Sequence, residues 1–376
     1  MIRLSVFGDF GFTNRLPALV TRNESNNILS GVRHLYKDSD VNIVNLEAPL
    51  VVRECGKIKK EGPHLKCGSE ALMFLKSENF NVLTLANNHI RDYGSIAVDD
   101  TINIANQMGF YTVGAGHNKE EASKALTLCI KNEKVTIINA CETEFSIVSE
   151  NQSGANPINE IDIYYQIVEA KKRDEYVVVI IHGGHEYYQL PSPRMKKMFR
   201  FFVDAGADAV IGHHPHCYSG FEVYKENPIF YSLGNFCFDS GDNNRLWNEG
   251  FFVVLKIEHE KIDFEIHPYN QCAEEPIVRQ LGIEEQEVFN ERINELNKII
   301  QDDLLLNDRF SEWTDKNRRK SMSRLLPYSN HYLVALYKRG LFPSLLSKKK
   351  LINISNAIRC EAHRDIVQKI LDYKLR

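Results

Sequence analysis

Short apolar runs, each ending on a polar side chain able to bind a metal or move a proton, recur through the first 270 or so residues. Leu4–Phe7, Val41–Leu46, Val82–Ala86, Val135–Ala140, Val177–Ile181 and Ala209–Ile211 have the length and β-branched content of buried strands. Between them, Asn26–Tyr36, Ser69–Ser77, Gly94–Met108, Ile161–Lys172 and Pro193–Ala205 carry helical spacing. This βαβα order restricts the chain to an α/β domain with helices on both sides of sheet. Phe251–Ile257 and Ile262–His267 flank His259-Glu260-Lys261 and read as a β-hairpin, so part of the sheet is antiparallel.

The strand ends carry the chemistry. Asp9 follows Val6-Phe7-Gly8, and Glu47 follows Val44-Asn45-Leu46. Asn87-Asn88-His89 follows Leu85-Ala86, His182 follows Ile180-Ile181, and His213-His214-Pro215-His216 follows Ile211-Gly212. Ligands of α/β sheets bind beyond the carboxyl ends of strands. Each residue alone has a plain explanation, such as a helix cap for Asp9 or a turn former for Asn87. Five strands in the same register favour one shared site. Asp, Glu, Asn and His without thiolate disfavour a structural zinc site and suit Mn, Fe or Zn with open coordination positions. Two such metals, roughly 3.5–4 Å apart, could clamp an in-line displacement. His89 then suits the general-acid role, and Glu186 stands beside it as a catalytic candidate. Glu186 and His185 could also accept imidazole N–H groups and orient them.

Composition narrows the rest. A hydrophobic share of 43% is ordinary for a globular protein, and no apolar run reaches membrane-spanning length. The start, Met1-Ile2-Arg3-Leu4-Ser5-Val6, lacks the pattern of a signal peptide, so a cytoplasmic address is expected. Cys55, Cys67, Cys129, Cys141, Cys217, Cys237, Cys272 and Cys360 form no C-x-x-C and read as reduced thiols, with Cys129 and Cys141 as small core residues. Gly114-Ala115-Gly116 is too short for a phosphate loop. The net charge of −4 is unevenly spread: residues 313–376 hold 15 Lys and Arg against 4 Asp and Glu. An α/β domain over residues 1–272 and a basic helical extension over 280–376 are therefore expected. The basic stretch Leu341-Phe342-Pro343 through Lys348-Lys349-Lys350 could meet an anionic membrane surface, grip an anionic polymer, or be a solvated helical face. No nucleic-acid module is present.

With these residues in view, the chain resembles the CapA family of capsule and poly-γ-glutamate synthesis proteins, itself similar to calcineurin-like metallophosphatases. The matching stretches are Gly8-Asp9, Asn45-Leu46-Glu47-Ala48-Pro49-Leu50, Leu85-Ala86-Asn87-Asn88-His89 with Asp92-Tyr93-Gly94, and Gly114-Ala115-Gly116. His182-Gly183-Gly184-His185-Glu186-Tyr187, Asp204-Ala205-Gly206-Ala207-Asp208, Gly212-His213-His214-Pro215-His216 and Tyr231-Ser232-Leu233-Gly234-Asn235-Phe236 follow in family order. The resemblance implies a metallophosphatase-like sandwich of two mixed β-sheets flanked by helices. It also implies a metal site of Asp9, Glu47, Asn88, His182, His214 and His216, with His89 at the catalytic histidine position. Asn87, His185, His213 and Asn235 would orient the ligands or meet substrate.

Two departures stand out. Metallophosphatases usually open the site with Asp-x-His, where this chain has Asp9-Phe10-Gly11, and Gly-Asp-x-x-Asp gives way to Asn45-Leu46-Glu47. One metal position loses a nitrogen, which favours Mn or Mg over Zn, or a single bound metal. The expected function is that of a metal-dependent hydrolase of phosphoesterase type in capsule or surface-polymer synthesis, with metal-bound hydroxide as nucleophile and His89 as general acid. Its substrate would be an anionic polymer or a phosphorylated or amide-containing compound. Amide or acyl cleavage or transfer on a polymer, and a non-catalytic scaffold of a capsule assembly complex, are the alternatives.

Overall fold

The computed structural model describes every residue except Asn23, Glu54, Asp242, Glu260 and Arg376, and the backbone alone of residues 372, 373 and 375. Glu260, in the expected hairpin turn, therefore lies outside the described residues.

Among the described residues, the strands pair into two large mixed sheets and one two-stranded ribbon. The first sheet runs Val278–Gln280, Lys261–Gln271, Glu249–Glu258, Ile2–Phe10, Val41–Leu46, Val82–Thr84, Tyr111–Val113. Its last four strands are parallel, and the hairpin adds antiparallel strands at the other side. The second runs Phe221–Tyr224, Asn227–Phe230, Ala209–His213, Tyr176–His182, Glu133–Cys141, Leu126–Ile130.

Side-chain alternation sorts these strands into three cores. Leu4 and Val6, Ile43, Val178 and Ile180, and Ala209 and Ile211 fill the space between the two sheets. Phe7, Val44, Leu46 and Leu83 face outward onto the helices Ser69–Ser77 and Gly94–Gln107. Val177, Val179, Ile181 and Val210 face outward onto Glu160–Lys171 and Pro193–Asp204. The layers are helix, sheet, sheet, helix. Each fully buried aliphatic chain contributes about 1.5–3 kcal/mol of transfer free energy to holding them.

At one end of the inter-sheet space the apolar residues give way to polar ones. Continuing the inward-facing positions past the aliphatic residues gives Asn45 after Ile43, Thr84 after Val82, Asn139 after Ile137, His182 after Ile180 and His213 after Ile211. These are carboxyl ends of parallel strands from both sheets. Asp9 reaches this face through a β-bulge. Val6 pairs with Ile43 and Asp9 with Asn45, so one extra residue sits in the first strand. Without it, Asp9 would face the outer helices. Gly8 is required there, because a Cβ would lie 1.8 Å from the Gly234 carbonyl oxygen.

Two local expectations change. The helix expected over Asn26–Tyr36 is a 3-10 turn at Ser25–Asn27 followed by only Arg33–Tyr36. Ile28 accepts the Val278 N–H at 2.7 Å and Gly31 bridges to Arg279, which breaks the helical run. Cys129 is exposed on an outer strand, and its neighbour Leu128 fills the core position instead.

The chain divides into compact units at Met1–Asn307 and Asp308–Arg376. The helix Ile283–Gln301 belongs to the first, where Phe289 packs 4.9 Å from Tyr218 and the Asn297 amide oxygen accepts the Phe221 N–H at 2.7 Å. The second unit is helical, with His331–Lys338, Lys348–Arg359 and Glu361–Leu375 after the end of Asp303–Met322. Among the described residues no helix is long and apolar enough to cross a membrane.

Candidate metal centre

Asp9 is fully buried at the end of its strand. Its Oδ1 accepts the Asn45 amide at 2.7 Å and its Oδ2 accepts the His214 backbone N–H at 2.9 Å. Burial opposes ionisation, but the neighbouring imidazoles, His182 first and then His213 and His216, hold the carboxyl well below the usual range. Asp9 therefore faces the site as a carboxylate. His182 Nδ1 lies 3.6 Å from Asp9 Oδ1, and His216 Nδ1 lies 3.9 Å from Oδ2.

Glu47 follows the second strand and is held by its N–H donating to the Phe10 carbonyl at 3.0 Å. Both of its carboxyl oxygens are buried and accept no hydrogen bond. Burial first, then the charges of Asp9, Glu186 and Asp92, push its pKa well up. Glu47 Oε1 lies 3.7 Å from His182 Nε2 and 3.7 Å from His216 Nε2. His182 Nε2 is also 3.1 Å from the Asn88 amide oxygen and 3.1 Å from His214 Nδ1.

The ring of His216 is oriented by Asn235. The Asn235 amide donates to the His216 and Trp247 carbonyls, so its oxygen faces His216 Nδ1 at 2.9 Å. Nδ1 must donate, which leaves the Nε2 lone pair toward Glu47. His214 and His216 both adopt positive φ, +97° and +56°, a strained backbone for non-glycine residues that aims both rings inward. Ligand atoms of Glu47, His214 and His216 lie within 4.8 Å of one another. Asp9, Asn88 and His182 adjoin this trio through the pairwise contacts above. An orphaned buried carboxylate among imidazoles fits a divalent cation, which would satisfy Glu47 and relieve its repulsion with Asp9. Burial depresses His182 to about 3, keeping it neutral as a ligand must be.

His89 lies beside this centre and is buried. Its Nδ1 is 2.7 Å from Asp92 Oδ2 and 3.0 Å from the ammonium of Lys60. Lys60 pairs with the other Asp92 oxygen, and Asp92 Oδ2 also accepts the Leu65 N–H at 2.7 Å. Burial, more than any neighbour, lowers the His89 pKa.

The remaining expected residues take different places. Asn87 braces the loop: its amide donates to Asn45 and Leu46, and its oxygen accepts the His89 N–H. His213 is buried at the end of its strand, where its ring meets the Phe7 backbone. His185 is partly exposed and sits near Glu142 and Arg194. Glu186 is exposed on the same turn, and its charge reaches Glu47 and His216. Sequence reading missed Lys60, Asp92 as its partner, Asn45 as the link between Asp9 and His182, and Trp247, whose ring packs 4.9 Å from His216. A polar Asn at an inward strand position was a signal for Asn45. Lys60 had none, because it lies on an irregular loop among other lysines.

Residues 3–240 match the family described as bacterial capsule synthesis protein PGA_cap. The chain belongs to that family. It is 33% identical over 248 residues to the capsule biosynthesis protein CapA of Bacillus anthracis, covering 64% of this chain and 60% of the relative. The PGA biosynthesis protein CapA of Bacillus subtilis (strain 168) is also 33% identical, with 64% of each chain covered. A probable polyglutamine synthesis accessory protein of Mycobacterium tuberculosis is 26% identical over 168 residues, 41% of this chain and 44% of that one. The chain thus spans less than two thirds of the length of the Bacillus relatives. The PGA_cap match holds every strand end of the candidate centre and stops short of the second unit.

Proposed function

We propose that this PGA_cap protein is a metal-dependent hydrolase of the phosphoesterase type that acts in the synthesis of a capsule or related surface polymer. The observation that carries the reading is Glu47, a buried carboxylate without a hydrogen bond, facing the nitrogens of His182 and His216. Glu47, His182, His214 and His216 would hold a divalent metal, with Asp9 and Asn88 adding oxygen donors. Three oxygen donors and the missing Asp-x-His nitrogen favour Mn. When bound, such a metal polarises a substrate oxygen and makes a water nucleophilic at neutral pH. The protein's own share is positional. Asn235 fixes the ring of His216, Asn45 ties Asp9 to its neighbours, and Asp92 with Lys60 orients His89. His89 would carry the proton to the leaving oxygen.

Cleavage or transfer at an amide is a second reading, favoured by the relatives whose names refer to PGA and polyglutamine. The test is metal analysis of the purified protein, followed by a panel of phosphoester and amide substrates on wild type and His89→Ala. Bound Mn or Fe with phosphoester turnover abolished by His89→Ala supports the first reading. Amide turnover alone supports the second. Protein that takes up no metal on reconstitution with Mn, Fe and Zn overturns both and leaves a scaffold.

A further inference from the structure

We propose that the second unit is a docking element for an anionic lipid surface, independent of what the metal centre does. The two last helices, Lys348–Arg359 and Glu361–Leu375, meet at Cys360, with Asn356 3.0 Å from His363 across the joint, and both are amphipathic. Neither has a buried side chain among its described residues. On the last helix, Ile366, Val367, Ile370 and Leu371 recur at helical spacing and form one apolar stripe, with Ile366 60% and Ile370 50% exposed. Leu351 and Ile358 are exposed on the helix before it. Such a contiguous apolar face on a globular protein needs a cover.

The charges identify that cover. Residues 308–376 hold 16 Lys and Arg against 6 Asp and Glu, a net of +10, whereas the whole chain has −4. The first unit therefore carries −14 and is repelled by the surface that the second would seek. Lys348, Lys349 and Lys350 occupy the first turn of their helix, where the helix dipole disfavours cations. That placement weakens the helix by itself and is offset when the lysines meet an external anion. A soluble polyanion would use the lysines but leave the isoleucine stripe in water. A bilayer with acidic headgroups takes both, since apolar faces sink below the headgroups while lysines stay among them. Helices of 12 and 15 residues would lie in the interface and are too short to span it.

The test is co-sedimentation of the full chain with vesicles of phosphatidylcholine alone or with about one third phosphatidylglycerol. Sedimentation with the acidic vesicles only, weakening as salt rises, is expected. Combining Lys348→Gln, Lys349→Gln and Lys350→Gln should weaken partitioning about a hundredfold. Combining Ile366→Ser with Ile370→Ser should weaken it with all charges kept. Both variants alter only exposed side chains, so circular dichroism should match wild type. Equal binding to both vesicles, binding to neither, or an isoleucine variant that binds like wild type overturns the proposal. A dimer without lipid that the isoleucine changes dissociate also overturns it, and makes the stripe an interface between copies.

Discussion

The ammonium of Lys60 lies 3.0 Å from Nδ1 of His89, and its side chain is only 3% exposed. The same ring nitrogen lies 2.7 Å from Asp92 Oδ2. One nitrogen cannot accept from an ammonium and donate to a carboxylate at once. Asp92, charged and paired with Lys60, is the stronger partner, so Nδ1 donates to it and Lys60 balances its charge. The opposite ring nitrogen is then left for a reacting group.

Asp92→Asn should lower turnover of a model phosphoester about 10- to 100-fold with metal content unchanged, since it removes an orienting partner and no ligand. Lys60→Met should act in the same direction, and Lys60→Arg should keep part of the activity. Metal content and steady-state rates measured on the same preparations check this. A parallel fall in metal content would mean that the pair holds the site's fold and not His89.

Glu47 sets stability against function. In metal-free protein its carboxyl is buried without a hydrogen bond, a state costing about 1–3 kcal/mol. Burial and Asp9 also work against its ionisation in the folded protein, a cost that Glu47→Gln removes. The metal-free variant should melt higher than metal-free wild type. Added Mn should raise the melting temperature of wild type and leave the variant nearly unmoved. Thermal scans of both proteins with EDTA and with Mn make the comparison. A variant that still responds to Mn would remove Glu47 from the ligand set.

Much of this site was legible because strand ends are. Asp9, Glu47, His182 and His214 each follow an apolar run whose period marks a strand, and parallel strands deliver their ends to one edge. The division into two facing sheets came from the resemblance, because alternation alone does not say which sheet a strand joins. Two things were not readable. The bulge at Gly8 that turns Asp9 inward depends on pairing register, which is set across strands. Lys60 reaches His89 through a loop of no regular period, and only tertiary packing selects it from Lys57, Lys59 and Lys66.

The resemblance to metallophosphatases would put the second ligand of their Asp-x-His at Gly11. A Cβ there would lie 2.5 Å from the ring of Phe238, which packs in turn on Trp247 and His216. An aromatic wall thus fills the space that a side chain at position 11 would need, and a single substitution there does not open it. Gly11→His should destabilise the protein by about 1–3 kcal/mol through overpacking. Adding Phe238→Ala should relieve the clash, so the double variant should lose less than the two single losses combined. Chemical denaturation of the four proteins gives the coupling. Strict additivity would show that Phe238 does not fill this space.

Glu285 gives a pH test far from the metal chemistry. It accepts from Arg279 at 2.6 and 2.7 Å and from the Gly282 N–H at 2.8 Å, closing the start of the helix Ile283–Gln301. The Arg279 pairing first, then the Gly282 N–H, lowers its pKa from 4.5 to about 2. A depressed carboxyl adds stability above its unfolded pKa, and loses it as pH falls from 4.5 toward 2. Both partners are 45% exposed, so solvent screening limits the effect at pH 7 to about 1 kcal/mol or less. Glu285→Gln should therefore melt slightly below wild type at neutral pH, with the gap narrowing as pH falls below 4.5. Melting curves of both proteins between pH 7 and about pH 2 measure it, covering the fall from the unfolded pKa to the folded one. A gap that stays constant over that range would assign the difference to lost packing and not to the ion pair with Arg279.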